Sequence, residues 1–441
     1  MNQIVINANK TIGKMKLMHA VNNGPVHVEG GVSNFQAFID AGIPYARTHD
    51  SSDCKYYGGV RSIDIHEIFA DFDKDPYDAS AYYFEPTDKY LTTMVQAGVG
   101  VFFRFGSKIE HGKKKGTYPP KDNKKWAIVC EHIIRHYNEG WANGFNYNIK
   151  YWEIWNEPDL DADDAADKRT WQGTFDEFLP LYETAATHLK SCFPELMIGG
   201  PAFANVWLAD ENSRFDRFVK YMSERNVPID FLSWHIYARR VKHFDTCAAN
   251  VRRVLDKYGY YKTESILNEW NYVENWAELF DQSLEVVSSM KGAAFIAAVM
   301  ATCQNNSTDL LMYYDARPCQ WNGMFNIKTM KPIWGYYPFV IFNDMYKKGN
   351  QLELTADSDM LHALAAKGED GEVTAMISYF YYEDDADADK TIEVKLDGMD
   401  AEKITVRLLD KDTMLEEIKT GSGSSIEITM KRNTVVEIKA K

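Results

Sequence analysis

Between residues 14 and 340, eight short runs rich in Val, Ile, Leu, Phe and Tyr alternate with longer amphipathic segments, the pattern of parallel strands joined by helices. The runs are KLMHAV (16–21), YARTHD (45–50), VGVFFRFG (99–106), IKYWEIWNE (149–157), LMIGGPA (196–202), DFLSWHIYA (230–238), SILNEWNY (265–272) and DLLMYYDAR (309–317). Eight strands of one direction, each followed by a helix, close most simply into a barrel whose reactive groups gather at the strands' C-terminal ends. Segment 123–140 is typical of the helices: apolar residues recur at three and four, and Gly140 supplies a stop. Nearly every run ends in groups able to do chemistry: Arg47 and His49, Arg104, Asn156 and Glu157, His235 and Tyr237, Glu269, then Asp315 and Arg317.

After about residue 340 the pattern changes to period-two alternation broken by turn signals, as in KITVRLLD, SSIEITM and TVVEIKAK. The expected fold is therefore α/β: a (β/α)8 TIM barrel over 11–340 and a small antiparallel β-sandwich over 341–441. The strand-like stretch QIVINA (3–8) precedes the first barrel run, so residues 1–10 are expected to join the sandwich.

A formal charge of −15 argues against a nucleic-acid partner, because binding to phosphates rests on clustered Lys and Arg. No stretch reaches the roughly 20 apolar residues that span a bilayer, and the first residues lack the basic start and apolar core of a signal peptide; no membrane association and a cytoplasmic location are expected. Cys54, Cys130, Cys192, Cys247, Cys303 and Cys319 stand far apart without a CxxC pair, which reads as reduced thiols with neither a disulfide framework nor a metal site. A homo-oligomer is compatible with the sequence. Aromatic residues make up 14% of the chain, with 11 Trp, a surplus that calls for a use.

The sharpest local signal is Trp155-Asn156-Glu157-Pro158. Pro158 cannot continue a strand ladder and is expected to hold Glu157 in extended geometry at the barrel rim. A second Glu, in Leu267-Asn268-Glu269-Trp270, ends a later run, 112 residues on, about three βα units, which sets strands four and seven across the mouth from each other. Retaining glycosidases use two carboxyl groups about 5 to 5.5 Å apart, one protonated and one ionised, and opposed strand ends supply that spacing. Glu153 alternates onto the same strand face as Trp155 and Glu157, but it lies about 13 Å down the strand at 3.3 Å per residue; pairing with an Arg inside the barrel suits it better than catalysis.

With these residues in place, the chain resembles glycoside hydrolase family 39, the family of β-xylosidases and α-L-iduronidases. The likeness runs through Arg47-Thr48-His49-Asp50, Pro119-Pro120-Lys121-Asp122 with Trp126 downstream, Glu153-Ile154-Trp155-Asn156-Glu157-Pro158-Asp159, Gly199-Gly200-Pro201-Ala202 and Ser233-Trp234-His235-Ile236-Tyr237. The resemblance implies Glu157 as general acid/base, Glu269 as nucleophile, Asn156 as partner of the sugar's 2-hydroxyl, and Tyr237 as donor to the nucleophile. It sets His49 and His235 along the sugar subsite and Arg47 beneath Glu269, and it implies a β-sandwich built from both chain ends. Two departures fall where the family's glycone pocket is expected: Asn268 stands where the β-xylosidases carry Thr, and Lys113-Lys114-Lys115 follow strand three. A Glu157 close to another negative charge should keep its proton, while Tyr and Arg hold Glu269 ionised.

Other features have plainer readings. His132 and His136, at i and i+4, lack the Glu of a zincin motif and are expected on a solvent-facing helix surface. The acidic stretch Asp159–Asp167 lacks the Gly and terminal Glu of a calcium loop and reads as a solvated loop near the pocket rim; Glu383–Asp389 reads as an exposed hairpin loop. Lys113–Lys115, or Arg317, are placed to attract an acidic sugar. Among Trp126, Trp155, Trp270, Trp321 and Trp334, Trp321 is the best candidate for a sugar platform.

The expected activity is removal of a terminal sugar by double displacement without a cofactor or metal, on a glycoside or oligosaccharide, with a β-D-xyloside as the first choice of substrate. An L-arabinoside, β-galactoside, β-glucoside or uronide are alternatives with the same chemistry. A non-catalytic carbohydrate-binding barrel is the alternative of another class, although a binding module has no need of paired carboxylates.

Overall fold

Strand β1 (Asn2–Lys14) leads the chain into the barrel strands β2 (Leu17–Asn22), β3 (Tyr45–Arg47), β4 (Gly100–Phe105), β5 (Tyr151–Ile154), β6 (Met197–Phe203), β7 (Phe231–Tyr237), β8 (Glu264–Asn271) and β9 (Leu310–Tyr313). Each barrel strand pairs parallel with the next, and β9 returns to β2, closing the sheet. The computed structural model describes residues 2–51, 54–208, 210–383 and 389–441. Most of the acidic run expected as a hairpin loop, residues 384–388, therefore lies outside the described residues.

The barrel is filled in layers, as parallel barrels are. Ala20, Phe102, Tyr151, Phe231, Ile266, Leu310 and Met312 form an apolar plug. Arg47, Glu153, Asn22 and Asn268 make a buried hydrogen-bonded polar layer. Outward-facing strand residues pack with the helices into the main core.

Strands β10 (Asn350–Ala356), β11 (Leu361–Lys367), β12 (Val373–Tyr379), β13 (Lys390–Asp397), β14 (Ala401–Leu409), β15 (Met414–Gly423), β16 (Ser425–Met430) and β17 (Thr434–Ala440) form a second sheet with β1, in the order β15-β14-β17-β12-β11-β10-β1-β13-β16. The two edge strands, β15 and β16, are separated in sequence by Ser424 alone, so the sheet must curl on itself, and its two halves enclose a core of their own. One pairing departs from a purely antiparallel sandwich: β1 runs parallel to β13, because it arrives from the far end of the chain and is no strand's hairpin partner.

The helix Met290–Asn305 is apolar on nearly every side because it is buried from both directions, against the barrel and against β11, β12 and β17. Ser378 of β12 donates to its Ala294 carbonyl at 2.8 Å. Among the described residues no single helix is long and apolar enough to cross a membrane.

The helix Asn123–Glu139 begins at Asp122, whose carboxylate accepts from the Lys124 and Lys125 amides, and stops at Gly140 with φ 74°. His132 and His136 are buried, contrary to the expected solvent-facing pair. His136 sits between Asp88 and the Trp141 carbonyl, and His132 packs edge-on to Trp141. Aromatic packing from the neighbouring segments claimed the helix face that sequence spacing left open.

Candidate active site

The ladder of β5 ends at Ile154, and the backbone then turns sharply: Trp155 has φ 76° and Glu157 has φ 50°. Glu157 is thus left-handed, not the extended residue expected before Pro158. Its amide is bonded to the carbonyls of Pro201 and Ala202 at 3.1 and 3.0 Å, and its own carbonyl accepts from Thr170 Oγ1 at 2.6 Å; these tertiary bonds outweigh the local preference. The turn also breaks the expected alternation. Trp155 swings outward against Trp126, Trp171 and Phe178, with its Nε1 donating to the Thr170 carbonyl, while Glu157 enters the mouth of the barrel. Gly106 makes room for that indole: a Cβ there would lie 2.8 Å from the ring.

Strand β8 uses a different device. Its pairing with β7 shifts register between Trp234↔Leu267 and His235↔Glu269, leaving Asn268 as the extra residue of a bulge. Leu267 and Trp270 pack into the core outside the barrel, whereas Asn268 and Glu269 both face inward. Asn268 Nδ2 donates to Glu153 Oε1 at 2.5 Å, and Glu269 lines the cavity.

Arg47 underpins the centre. Its Nε donates to Glu153 Oε2 at 2.7 Å and its Nη2 to Asn156 Oδ1 at 2.6 Å, while Nη1 stands 3.7 Å from Glu269 Oε2. The Tyr237 hydroxyl donates to Glu269 Oε1 at 2.8 Å. His235 Nδ1 lies 2.7 Å from Glu157 Oε1 and 2.9 Å from Glu269 Oε2, so the imidazole bridges the two carboxylates. One ligand atom from each of Glu157, His235 and Glu269 falls within 4.8 Å of the others.

The environments separate the two carboxyl groups. Burial raises the Glu157 pKa, with the Glu269 charge adding to the rise against His235 and Arg47. Desolvation, not the neighbouring charge expected from the sequence, is the larger cause. Burial acts on Glu269 in the same sense, but the charge and hydrogen bond of His235, with the charge of Arg47, outweigh it and hold Glu269 below the usual carboxylate range. Burial alone would lower His235, yet the Glu269 charge and the contact with Glu157 bring it up to about 9.

A cavity of about 570 Å³ opens over these groups. His49, Glu157, His235, Tyr237, Glu269 and Trp321 line it, while Arg47 and Asn156 lie buried beneath. Asn156 Nδ2 has no partner among the described residues. Sequence reasoning gave no role to Asp50, Arg169, Trp207, Trp276 or Tyr314, which also form the wall. Trp276 was within reach of the argument, since it falls in the loop directly after the strand that carries Glu269.

Several expected contributors are elsewhere. Lys114 is paired with Asp167 and Lys115 with Glu67, and none of Lys113–Lys115 lines the cavity. Arg317 is engaged by Asp315 and Asp50 behind the wall. Asn268 is turned into the barrel interior, so neither sequence departure lines the cavity. Trp126, Trp155, Trp270 and Trp334 do not line the cavity. The acidic stretch is cross-linked rather than merely solvated: Asp161 grips Arg169, Asp163 grips Arg214, and buried Asp159 accepts from the Ala204 and Asn205 amides. Burial raises Asp159 to about 7.

The family model for glycosyl hydrolases family 39 matches residues 40–414. A β-xylosidase of Geobacillus stearothermophilus is 28% identical over 223 residues, 46% of this chain and 38% of that protein. A β-xylosidase of Caldicellulosiruptor saccharolyticus is 31% identical over 135 residues, 30% of this chain and 24% of the relative. The chain thus aligns with well under half the length of these two relatives. A glucosidase structure from Croceicoccus marinus superposes with a TM-score of 0.81 at 24% identity, covering 100% of this chain and 99% of that one. A monomeric β-xylosidase from Caulobacter crescentus gives 0.69 at 16% identity, covering 100% and 99%.

Proposed function

This chain belongs to glycosyl hydrolases family 39, and from that membership and the geometry of its cavity we propose that it is a retaining glycosidase that releases a terminal sugar, with a β-D-xyloside as the favoured substrate. The observation that carries the reading is the pair Glu157 and Glu269, bridged by one nitrogen of His235 at 2.7 and 2.9 Å. That spacing suits direct attack on the anomeric carbon; an inverting pair stands about 6.5 to 9.5 Å apart, with a water between. The opposite pKa directions of the two groups support distinct roles. The two β-xylosidases aligned with this chain support the choice of sugar.

In the first step the ionised Glu269 attacks the anomeric carbon. The glycosidic C–O bond breaks, and the departing oxygen takes the proton of Glu157. In the second, water attacks the glycosyl ester and gives its proton to Glu157, freeing the sugar and restoring Glu269 as a carboxylate. Tyr237 and Arg47 orient Glu269 and favour its charged form, and the Nδ2 of Asn156 is available to a sugar hydroxyl. His235 holds both carboxylates at the reacting centre. In this reading residues 11–340 carry the chemistry, and residues 341–441 with 1–10 form the accessory sandwich.

The test is a panel of aryl glycosides cleaved by wild type, Glu157→Gln and Glu269→Gln. Glu269→Gln should lose activity by about 10⁴-fold or more, while Glu157→Gln should keep partial activity on a good leaving group and be rescued by azide as the glycosyl azide of retained configuration. Full activity in both variants would remove the assignment; an inverted product would replace the double displacement with a single one.

A further inference from the structure

Among the described residues three carboxylates line the cavity, and the proposed mechanism uses two. The third is Asp50, 2% exposed at the end of β3. Its Oδ2 is held by the Tyr314 hydroxyl at 2.5 Å and by Arg317 Nη2 at 3.2 Å. Its Oδ1 is buried and accepts no hydrogen bond from the described residues, with His49 Nε2 standing off at 3.4 Å. The neighbouring His49 Nδ1 is likewise buried without a partner. Burying such groups unpaired costs free energy that a ligand recovers, and both belong to residues of the wall that holds Glu269. Tyr314 and Arg317 fix the carboxylate through Oδ2, leaving Oδ1 without a donor from the described residues in the wall of the cavity.

We propose that Asp50 reads the glycone, its Oδ1 accepting one hydroxyl of a neutral terminal sugar while His49 engages an adjacent hydroxyl, and that its charge excludes uronides from the pocket. The inference rests on the glycosidase reading and narrows its substrate class. The cations near the wall are already engaged: Arg169 by Asp161, Arg317 by Asp50 and Asp315, Arg47 by Glu153. A sugar carboxylate would enter beside Asp50 and Glu269, where like-charge contact away from water is strongly unfavourable. His49 stays neutral because burial takes it down to about 3, so it adds no compensating charge.

The experiment compares the best-cleaved neutral aryl glycoside with its 3-deoxy and 4-deoxy analogues and with the aryl glucuronide, in wild type and in Asp50→Asn. In wild type one deoxy analogue should lose about 100-fold in kcat/KM, as expected for a lost hydrogen bond to a charged acceptor. The glucuronide should run at roughly 1% or less of the neutral substrate. In Asp50→Asn the same deoxy substitution should cost less than about tenfold, because the charged acceptor is gone. Cleavage of both deoxy analogues by wild type within about tenfold of the parent, or preference for the glucuronide, would overturn the proposal. Both of those outcomes read wild type, so a poorly folding variant leaves the test intact. If wild type cleaved none of the panel, the glycosidase reading would fall and this one with it; cleavage with either overturning outcome removes Asp50 alone.

Discussion

Arg47 and Glu153 form an ion pair at 2.7 Å with neither side chain exposed to solvent, on the barrel floor directly below the two carboxylates assigned to catalysis. Glu153 also accepts from Asn268, and Arg47 also holds Asn156. One buried charge pair thus links Asn156 and Asn268, the residues that precede Glu157 and Glu269. A pair of this kind offsets its desolvation only when every lone pair and proton is used, and here Glu153 presents an acceptor to each of two donors. Its value lies in position: it fixes the two strand ends that must face each other.

Glu153→Gln should therefore cost stability as well as activity. Removing one member of a buried pair leaves the other charge uncompensated, a loss of about 3 to 5 kcal/mol. Denaturant unfolding of the variant against wild type measures it, and a loss under about 1 kcal/mol would show that Arg47 finds adequate partners in Asn22, Asn156 and Glu269.

The pH dependence follows from the two shifts. The proposed double displacement needs Glu269 ionised and Glu157 protonated. Glu269 lies below the usual carboxylate range and Glu157 above it, so kcat/KM should rise through the lowered value, stay high, and fall through the raised one. Glu157→Gln, assayed with an activated leaving group that needs no proton, should lose the alkaline limb and keep the acidic one. An alkaline limb surviving in that variant would assign it to another group, with His235 first in line at about 9.

Trp276 is 59% exposed and packs beside Trp321 and Tyr237. Trp276→Ala should raise KM by about tenfold with little change in kcat, since a ring contact of about 1.4 kcal/mol formed equally with substrate and transition state changes binding alone. Steady-state kinetics on an aryl glycoside and on an alkyl glycoside would show it; a fall in kcat at constant KM would mean that the ring also orients the reacting bond.

Glu157, His235 and Glu269 are spaced as metal ligands are. Arg47 at 3.7 Å from Glu269, and an imidazole raised to about 9 between the carboxylates, already supply positive charge. A chelator should leave the rate unchanged, and added Zn²⁺ should inhibit by competing for these groups. Loss of activity on dialysis against EDTA, restored by one divalent ion, would require a different mechanism.

The barrel was legible because strand burial writes itself as apolar runs: each of the eight runs contains one of the strands β2–β9 or overlaps nearly all of it. The curled second sheet followed from period-two alternation, and the place of β1 in it from a strand-like stretch with no barrel role. The pair Glu157 and Glu269 was legible from strand counting, since topology alone carries strands four and seven to opposite sides of a mouth. Contacts across the mouth were not legible. His235 between the carboxylates, Asn268 turned away at a bulge, Lys114 and Lys115 tied to Asp167 and Glu67, and buried His132 and His136 all depend on which side chains approach from segments far away in sequence. The sequence by itself determined the order of elements and the residue types available at each strand end, because hydrophobic period and turn chemistry act locally. Only the tertiary structure decided which of those residues meet, how far the backbone of Glu157 departs from extended geometry, and that burial is the larger cause of the Glu157 shift, because hydrogen bonds and desolvation are set by neighbours in space.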